Sequence, residues 1–440
     1  MSGAPLGVPA SPASSKRSRS RDSSATSSLS TPAAGTSIPS PTASVPNLVI
    51  PFQNFSTAAH APQDPIPYPA FLRLTRPGSL DWEERKRLTA GSQKPEAGQQ
   101  LPWARCSDYD TLGRNRYANV EPYERNRVKL QVPEGHCDYI NASPIVLEST
   151  KSETVTKFIA TQGPKSDLVS HMWRMVWHET ASPAVIVMLT QTHEAGREKC
   201  FPYYPASLAD PVLNINEEDE FEDSFTHNVK LIDLTKHDES CTEIRELEMA
   251  AAEGSEAKKI WHLLYTSWPD FSVPEGSDRE ALLNLVQISR EKLSGNLSSP
   301  RIVHCSAGVG RSGTFIALDW LAQELEDGSL DNVEANDDPV FNVVDKLRQQ
   351  RMMMVQAESQ YALLYDVIRA RWRDRWIRLH PEEAERLGLS TTQEPKAKKP
   401  RQEDFGLLLS EQPPAGDENQ HAELEAELIN AEAAFEQGKR

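Results

Sequence analysis

The stretch Val303-His304-Cys305-Ser306-Ala307-Gly308-Val309-Gly310-Arg311-Ser312-Gly313-Thr314 decides how the rest of the chain is read. Ahead of it, Arg301 to His304 reads as a short buried strand. Behind it, Phe315, Leu318, Ala322 and Leu325 recur at helical spacing, with Gly328 as a stop. A loop of small residues entering a helix turns several backbone N–H groups toward one point, and the helix N-terminus adds about half a positive charge there. Such a place is built for an anion. Cys305 opens the loop and Arg311 closes it six positions later, so both side chains reach the same cradled oxyanion. The thiolate is the attacking form of cysteine, and converging N–H groups with a guanidinium stabilise it. The planar fork of arginine holds two phosphoryl oxygens, where lysine offers only a point charge.

Two other readings explain less. A nucleotide-binding phosphate loop ends in Gly-Lys-Ser/Thr, whereas here Gly310-Arg311-Ser312 follows a cysteine. A buried cysteine beside a glycine-rich turn leaves Arg311 and the doubled glycines without a purpose.

Around this stretch the chain divides by composition. Residues 1 to 65 are dominated by Ser, Pro, Ala and Thr with almost no apolar periodicity, and such a segment cannot bury enough surface to offset its ordering entropy. A disordered N-terminal tail is expected there, and a second polar tail over 381–440. Between them, 66–380 reads as one mixed α/β domain; single domains of about 250 to 300 residues are common. Thr156 to Ala160, Ala184 to Leu189, Val229 to Leu234 and Ile260 to Thr266 read as strands. One helix should run through Leu168, Met172, Met175, Val176 and Glu179 with Ser166 as its cap, and another through Tyr361, Leu364, Tyr365, Ile368 and Trp372. Two acidic segments read as solvated loops: Glu217 to Asp223, with six acids in seven residues, and Glu324 to Asp338.

The formal charge of −17, from 47 basic and 64 acidic residues, argues against a general nucleic-acid or anionic-membrane binder. Any anion must meet a local positive site. Five cysteines at scattered spacings, with no CxxC pair, suit free thiols in a reducing compartment. No apolar run approaches the roughly 20 residues needed to span a bilayer, and the N-terminus lacks the apolar core of a signal peptide. A cytoplasmic or nuclear monomer is expected.

His304-Cys305-x5-Arg311-Ser312 resembles the signature of the protein tyrosine phosphatase family. The resemblance extends over most of residues 70 to 378 through Asn115-Arg116-Tyr117, Asp138-Tyr139-Ile140-Asn141-Ala142-Ser143, Thr161-Gln162-Gly163-Pro164, Lys199-Cys200-Phe201-Pro202-Tyr203-Tyr204-Pro205, Trp268-Pro269-Asp270 and Gln356, all in the family's order. It implies an α/β fold with a central twisted mixed β-sheet flanked by helices, and hydrolysis of phosphotyrosine in proteins through a phosphocysteine. By the same resemblance Cys305 is the nucleophile and Arg311 the phosphate clamp. Ser306, Ala307, Gly308, Val309 and Gly310 supply the amide cradle, Ser312 a hydrogen bond to the sulfur, and His304 support from behind. Asp270, in Trp268-Pro269-Asp270-Phe271, is the implied general acid on a mobile loop. Tyr117 is the implied rim that deepens the pocket beyond the reach of a phosphoserine. Gln356 would place the hydrolytic water, with Gln360 beside it. Glu194 would orient Arg311, and Lys199 would approach Asp270. Asn119 falls where some members carry Asp to hold the substrate backbone; Asn keeps hydrogen bonding without the charge. No metal or other cofactor is required.

The tails carry short basic clusters, Lys16-Arg17-Ser18-Arg19-Ser20-Arg21 and Lys398-Lys399-Pro400-Arg401. They read first as solvated tail, with nuclear import as the alternative. The second precedes Leu407-x-Leu409 at a spacing similar to docking peptides for a mitogen-activated protein kinase.

Overall fold

Short apolar runs without alternation are what a strand covered on both faces requires. The structure, a computed structural model, describes residues 65–73, 80–94, 101–106, 109–251, 256–268 and 272–389. In it, Ala184–Met188 and Arg301–His304 are buried at every position.

The strands are β1 (Ala142–Glu148), β2 (Val155–Thr161), β3 (Ala184–Met188), β4 (His193–Glu194), β5 (Arg197–Glu198), β6 (Val212–Ile215), β7 (His227–His237), β8 (Thr242–Ala251), β9 (Ala257–Tyr265) and β10 (Arg301–His304). The helices are α1 (Ala70–Arg73), α2 (Leu80–Gly91), α3 (Tyr109–Leu112), α4 (Val169–Glu179), α5 (Ser277–Glu291), α6 (Gly310–Glu326), α7 (Pro339–Arg348), α8 (Glu358–Leu379) and α9 (Pro381–Arg386).

Eight strands form one mixed sheet in the order β1-β2-β10-β3-β9-β8-β7-β6, and β4 pairs with β5 as a separate hairpin. The centre, β2-β10-β3-β9, is parallel. The β9-β8-β7-β6 wing and the β1-β2 edge are antiparallel. The pleat sends alternate residues to opposite faces. Val185, Val187 and Val303 join the core under α5, α6, α7 and α8. Ala184, Ile186, Met188 and Ile302 join the second core, closed by Met172, Trp173, Met175 and Val176 of α4. β10 lies between β2 and β3, so its carboxyl end opens at the middle of the sheet, where ligands of such sheets bind.

Three expectations change. Ser166 does not cap α4: Ser166–Leu168 form a 3-10 turn that tightens the entry, and α4 begins at Val169. Glu217 to Asp223 is not a plain solvated loop. Phe221 is buried, Arg174 grips Asp223 through two bonds of 2.6 and 2.8 Å, and His171 Nε2 lies 2.9 Å from Glu220. Glu324 to Asp338 is structured at both ends, because Glu324 is buried and accepts the Thr150 N–H at 2.8 Å, while Asp338 caps α7.

The folded region also runs past residue 380, where Ala384 of α9 is buried in the core. Residues 1–64 and 390–440, with their basic clusters, lie outside the described residues. Among the described residues no helix is long and apolar enough to cross a membrane.

Candidate active site

The sequence Cys305 to Val309 leaves β10 and enters α6 at Gly310. Gly308 has φ +72°, and a Cβ on it would lie 2.1 Å from the Thr161 carbonyl oxygen, so only glycine fits. That conformation aims the Gly308 N–H at Cys305 Sγ, 3.3 Å away. Gly313, one turn into α6, lets the helix press on the neighbouring loop; a Cβ there would lie 2.4 Å from Val355 N.

Arg311 lies on the first turn of α6, 3% exposed, and Glu194 of the β4–β5 hairpin meets it side-on. Nη1 and Nη2 donate to the two Glu194 carboxylate oxygens at 2.7 Å each, a bidentate pair that leaves the guanidinium little freedom. Nη1 also donates to Leu189 O at 2.9 Å and Trp268 O at 3.2 Å. Glu194 is itself held by the Thr190 hydroxyl at 2.8 Å.

The histidine that precedes the cysteine is neutral. Burial pushes His304 down to about 4, so its imidazole is uncharged at neutral pH. Its Nδ1 lies 3.2 Å from Cys305 O and its Nε2 2.6 Å from the Tyr203 hydroxyl. A neutral ring that donates from Nδ1 accepts the Tyr203 proton at Nε2, and His262 follows at 3.0 Å on the far side of that hydroxyl. Burial also pushes the Cys200 thiol up to about 12, and Cys106 is raised by burial and by Glu124, so both stay protonated. All five cysteines are free.

Tyr117 stands at the mouth of the loop. Ser306 Oγ donates to Lys199 O at 2.9 Å and therefore accepts from the Tyr117 hydroxyl, 2.8 Å away. Around Tyr117 the quoted sequence blocks interlock: Asn115 Oδ1 accepts from Tyr139 at 2.6 Å and Asn141 at 2.8 Å, and Arg116 donates to Gly163 O and Pro164 O. Gln356 and Gln360 flank Gly310, since a Cβ on that glycine would lie 3.4 Å from one and 3.1 Å from the other. Asn119 is half-buried beside the same rim segment.

One placement departs from the sequence reading. Ser312 Oγ is buried without a hydrogen-bond partner, so its expected bond to Sγ is not made, and the Gly308 N–H takes that place. Pro269, Asp270 and Phe271 lie outside the described residues. The flanks of that segment are tied together, because the Trp268 indole N–H donates to Ser272 O at 2.9 Å.

Arg351 was not singled out from the sequence. It is fully buried behind the loop and donates to Gly308 O at 2.9 Å and Ala307 O at 3.1 Å. Only its position next to the Met352-Met353-Met354 run, too apolar for a surface turn, pointed inward.

Residues 111–370 match the model of the protein-tyrosine phosphatase family. Tyrosine-protein phosphatase 2 of Schizosaccharomyces pombe is 36% identical over 264 residues, 58% of this chain and 33% of that protein. Tyrosine-protein phosphatase 1 of the same yeast is 35% identical over 305 residues, 68% of this chain and 50% of that protein. The chain thus spans a third to a half of the length of these two relatives. The catalytic domain of human protein tyrosine phosphatase non-receptor type 18 is similar in structure, with a TM-score of 0.53, 29% identity, and 67% of this chain and 94% of that chain covered. With a cysteine-to-arginine anion loop at the carboxyl end of a central parallel strand, inside a region the family model spans, this chain belongs to the protein-tyrosine phosphatase family.

Proposed function

We propose that the protein hydrolyses phosphotyrosine in proteins through a phosphocysteine intermediate. The observation that carries this reading is one loop that bears both Cys305, with an amide on its sulfur, and Arg311, with its guanidinium locked by Glu194. The substrate dianion binds the loop amides and Arg311. Cys305 thiolate attacks phosphorus, the S–P bond forms as the P–O bond to the ring breaks, and Asp270 gives its proton to the departing phenolate. A water placed by Gln356 then attacks, Asp270 takes its proton, and the S–P bond breaks to restore the thiolate.

Tyr117, fixed through Ser306, supports tyrosine selectivity, because an aromatic rim packs against an aryl stem and a phosphoserine stem is too short to reach past it to Cys305. The structure neighbour from the non-receptor type 18 phosphatase in complex with phosphorylated HER2 peptides shows that relative with ligands of this class. A lipid or dual-specificity phosphatase shares the cysteine-to-arginine loop but not the tyrosine rim. A catalytically silent phosphotyrosine-binding module usually lacks the clamp arginine or the loop acid, and Arg311 and Asp270 are both in the sequence.

Action as a monomer in the cytoplasm or nucleus is part of the same proposal, as is docking of a mitogen-activated protein kinase on the basic cluster at Lys398 to Arg401. Reduced protein, with chelator present, is expected to turn over aryl phosphate and phosphotyrosine peptide and to leave phosphothreonine peptide and phosphoinositide almost untouched. Failure on aryl phosphate would overturn the proposal.

A further inference from the structure

Burying a guanidinium without an anion is strongly unfavourable, so buried arginines are paired. Among the described residues Arg87, Arg174, Arg245, Arg301, Arg311 and Arg348 are buried, and each meets a carboxylate. Arg351, at 0% exposure the most buried of the set, does not. Its acceptors are neutral: Gly308 O at 2.9 Å, Ala307 O at 3.1 Å, Asn141 Oδ1 at 2.8 Å and Ser143 Oγ at 3.2 Å. Burial lowers its pKa to about 10, so it remains a cation at neutral pH, and the groups that favour its charge are Tyr139 and Cys305. Burial holds Tyr139 far above its usual range, so it stays neutral and its hydroxyl donates to Asn115. That leaves the sulfur.

Apart from the amides and the α6 N-terminus, the remaining ionisable side chains around Cys305 supply little net positive charge. Arg311 in front is matched by Glu194 in a bidentate pair. His304 and Cys200 are neutral by burial. The connection from Arg351 runs through a single peptide unit. Its carbonyl, that of Ala307, accepts from Nη2 at 3.1 Å, and its N–H, that of Gly308, points at Sγ from 3.3 Å. A cation on the oxygen polarises the peptide and strengthens the N–H as a donor.

We propose that Arg351 is the counter-charge of the Cys305 thiolate, acting from behind the loop through the Ala307–Gly308 peptide. It is a positioning residue, since it touches neither substrate nor sulfur. The inference rests on the proposed phosphatase reading and adds to it a second cation that the cysteine-to-arginine motif does not contain.

The test is alkylation of Cys305 by iodoacetamide, followed by mass spectrometry, as the ratio of the rate at pH 6 to that at pH 9. This ratio reports thiolate without needing turnover, and the exposed Cys241 in the same digest is an internal reference. Arg351→Met is expected to lower the ratio at least about tenfold, a drop that takes a change of about one pH unit or more in ionisation. Arg351→Lys keeps the charge and loses the fork, so its ratio should stay within about twofold of the parent while turnover falls. A folded Arg351→Met protein with the parent ratio overturns the proposal. So does an Arg351→Lys protein whose ratio drops tenfold, which assigns the effect to hydrogen bonding alone; if circular dichroism shows the Met variant unfolded, the Lys variant decides. A parent Cys305 that alkylates with the pH profile of Cys241 refutes the phosphatase reading instead.

Discussion

The parallel centre of the sheet and its antiparallel wing hold similar chemical parts and put them to different ends. Both have a buried arginine gripped by a carboxylate through two bonds, Arg311 with Glu194 at the centre and Arg174 with Asp223 in the wing. In the wing the account closes there. The Arg174 guanidinium also lies over Phe225 at 4.1 Å, and His171 meets Glu220, so the acidic segment is fastened to α4 with its charges satisfied locally. At the centre, short strands end together and a glycine-rich loop leaves amides pointing at a sulfur, with a further cation behind them. Polar side chains alone do not mark a site in this fold; unspent donors and charge do.

Replacing the nucleophile tests this comparison most severely. Cys305→Ser should lower aryl phosphate turnover by at least about 10⁴-fold, as loss of a covalent nucleophile does, with an unchanged melting temperature. Stopped assays with purified protein check it, and a variant retaining a tenth of parental activity would detach the chemistry from the loop. Asp270→Ala comes next. Loss of a general acid costs commonly about 10²- to 10⁴-fold in kcat, and phosphotyrosine peptide should still bind, so a calorimetric titration separates the two effects. Glu194→Gln keeps the shape but puts an amide N–H against one arginine nitrogen. A fall in kcat/KM of about 10- to 100-fold is expected from the misplaced clamp. An unaffected Glu194→Gln enzyme would mean that the hairpin does for Arg311 no more than Asp223 does for Arg174.

The same division governs what was legible in the chain. The centre announced itself: Arg301 to His304 is the strand that the sequence suggested, and Ala184 to Leu189 overruns β3 by one residue. Fully buried strands must be apolar, so little else fits their sequence. β8 was missed because Thr-Glu-Ile-Arg-Glu-Leu-Glu-Met-Ala-Ala is rich in helix formers, and it is a strand only because β7 and β9 flank it. α2 was missed because its inward face is charged: Asp81 and Glu84 meet Arg348, and Arg87 meets Asp345. No apolar stripe signals such a helix. Among the site residues, Arg311 and Glu194 come together from positions far apart in the chain, which only the family resemblance could anticipate. Arg351 needed the structure, since nothing in a sequence says that an arginine lacks a carboxylate.

The smallest expected effect lies in the wing, at His227. It opens β7, is 6% exposed, and sits against Phe225 at 4.1 Å and Trp177 at 4.5 Å with no hydrogen bond to either ring nitrogen. Burial, then His178 and Arg174, push it down to about 4. Its unfolded counterpart titrates near the ordinary value of 6.5. As pH falls from about 6.5 to about 4, the unfolded chain takes up a proton that the folded one refuses. Stability is therefore full above that window and declines through it, by at most about 1.4 kcal/mol per pH unit for one such group. His227→Phe removes the group and its unsatisfied nitrogens while keeping the ring. At pH 7 the variant should melt slightly higher, by about 1 kcal/mol of stability, and between pH 7 and pH 5 its melting temperature should fall less than the parent's. Part of the parental decline should persist, because His304 is depressed to about 4 by burial and titrates in the same window. Turnover per folded molecule should not change. A His227→Phe enzyme with impaired kcat would show that the wing reaches the catalytic loop through α4 or β9, and the separation of fastener from site would have to be redrawn.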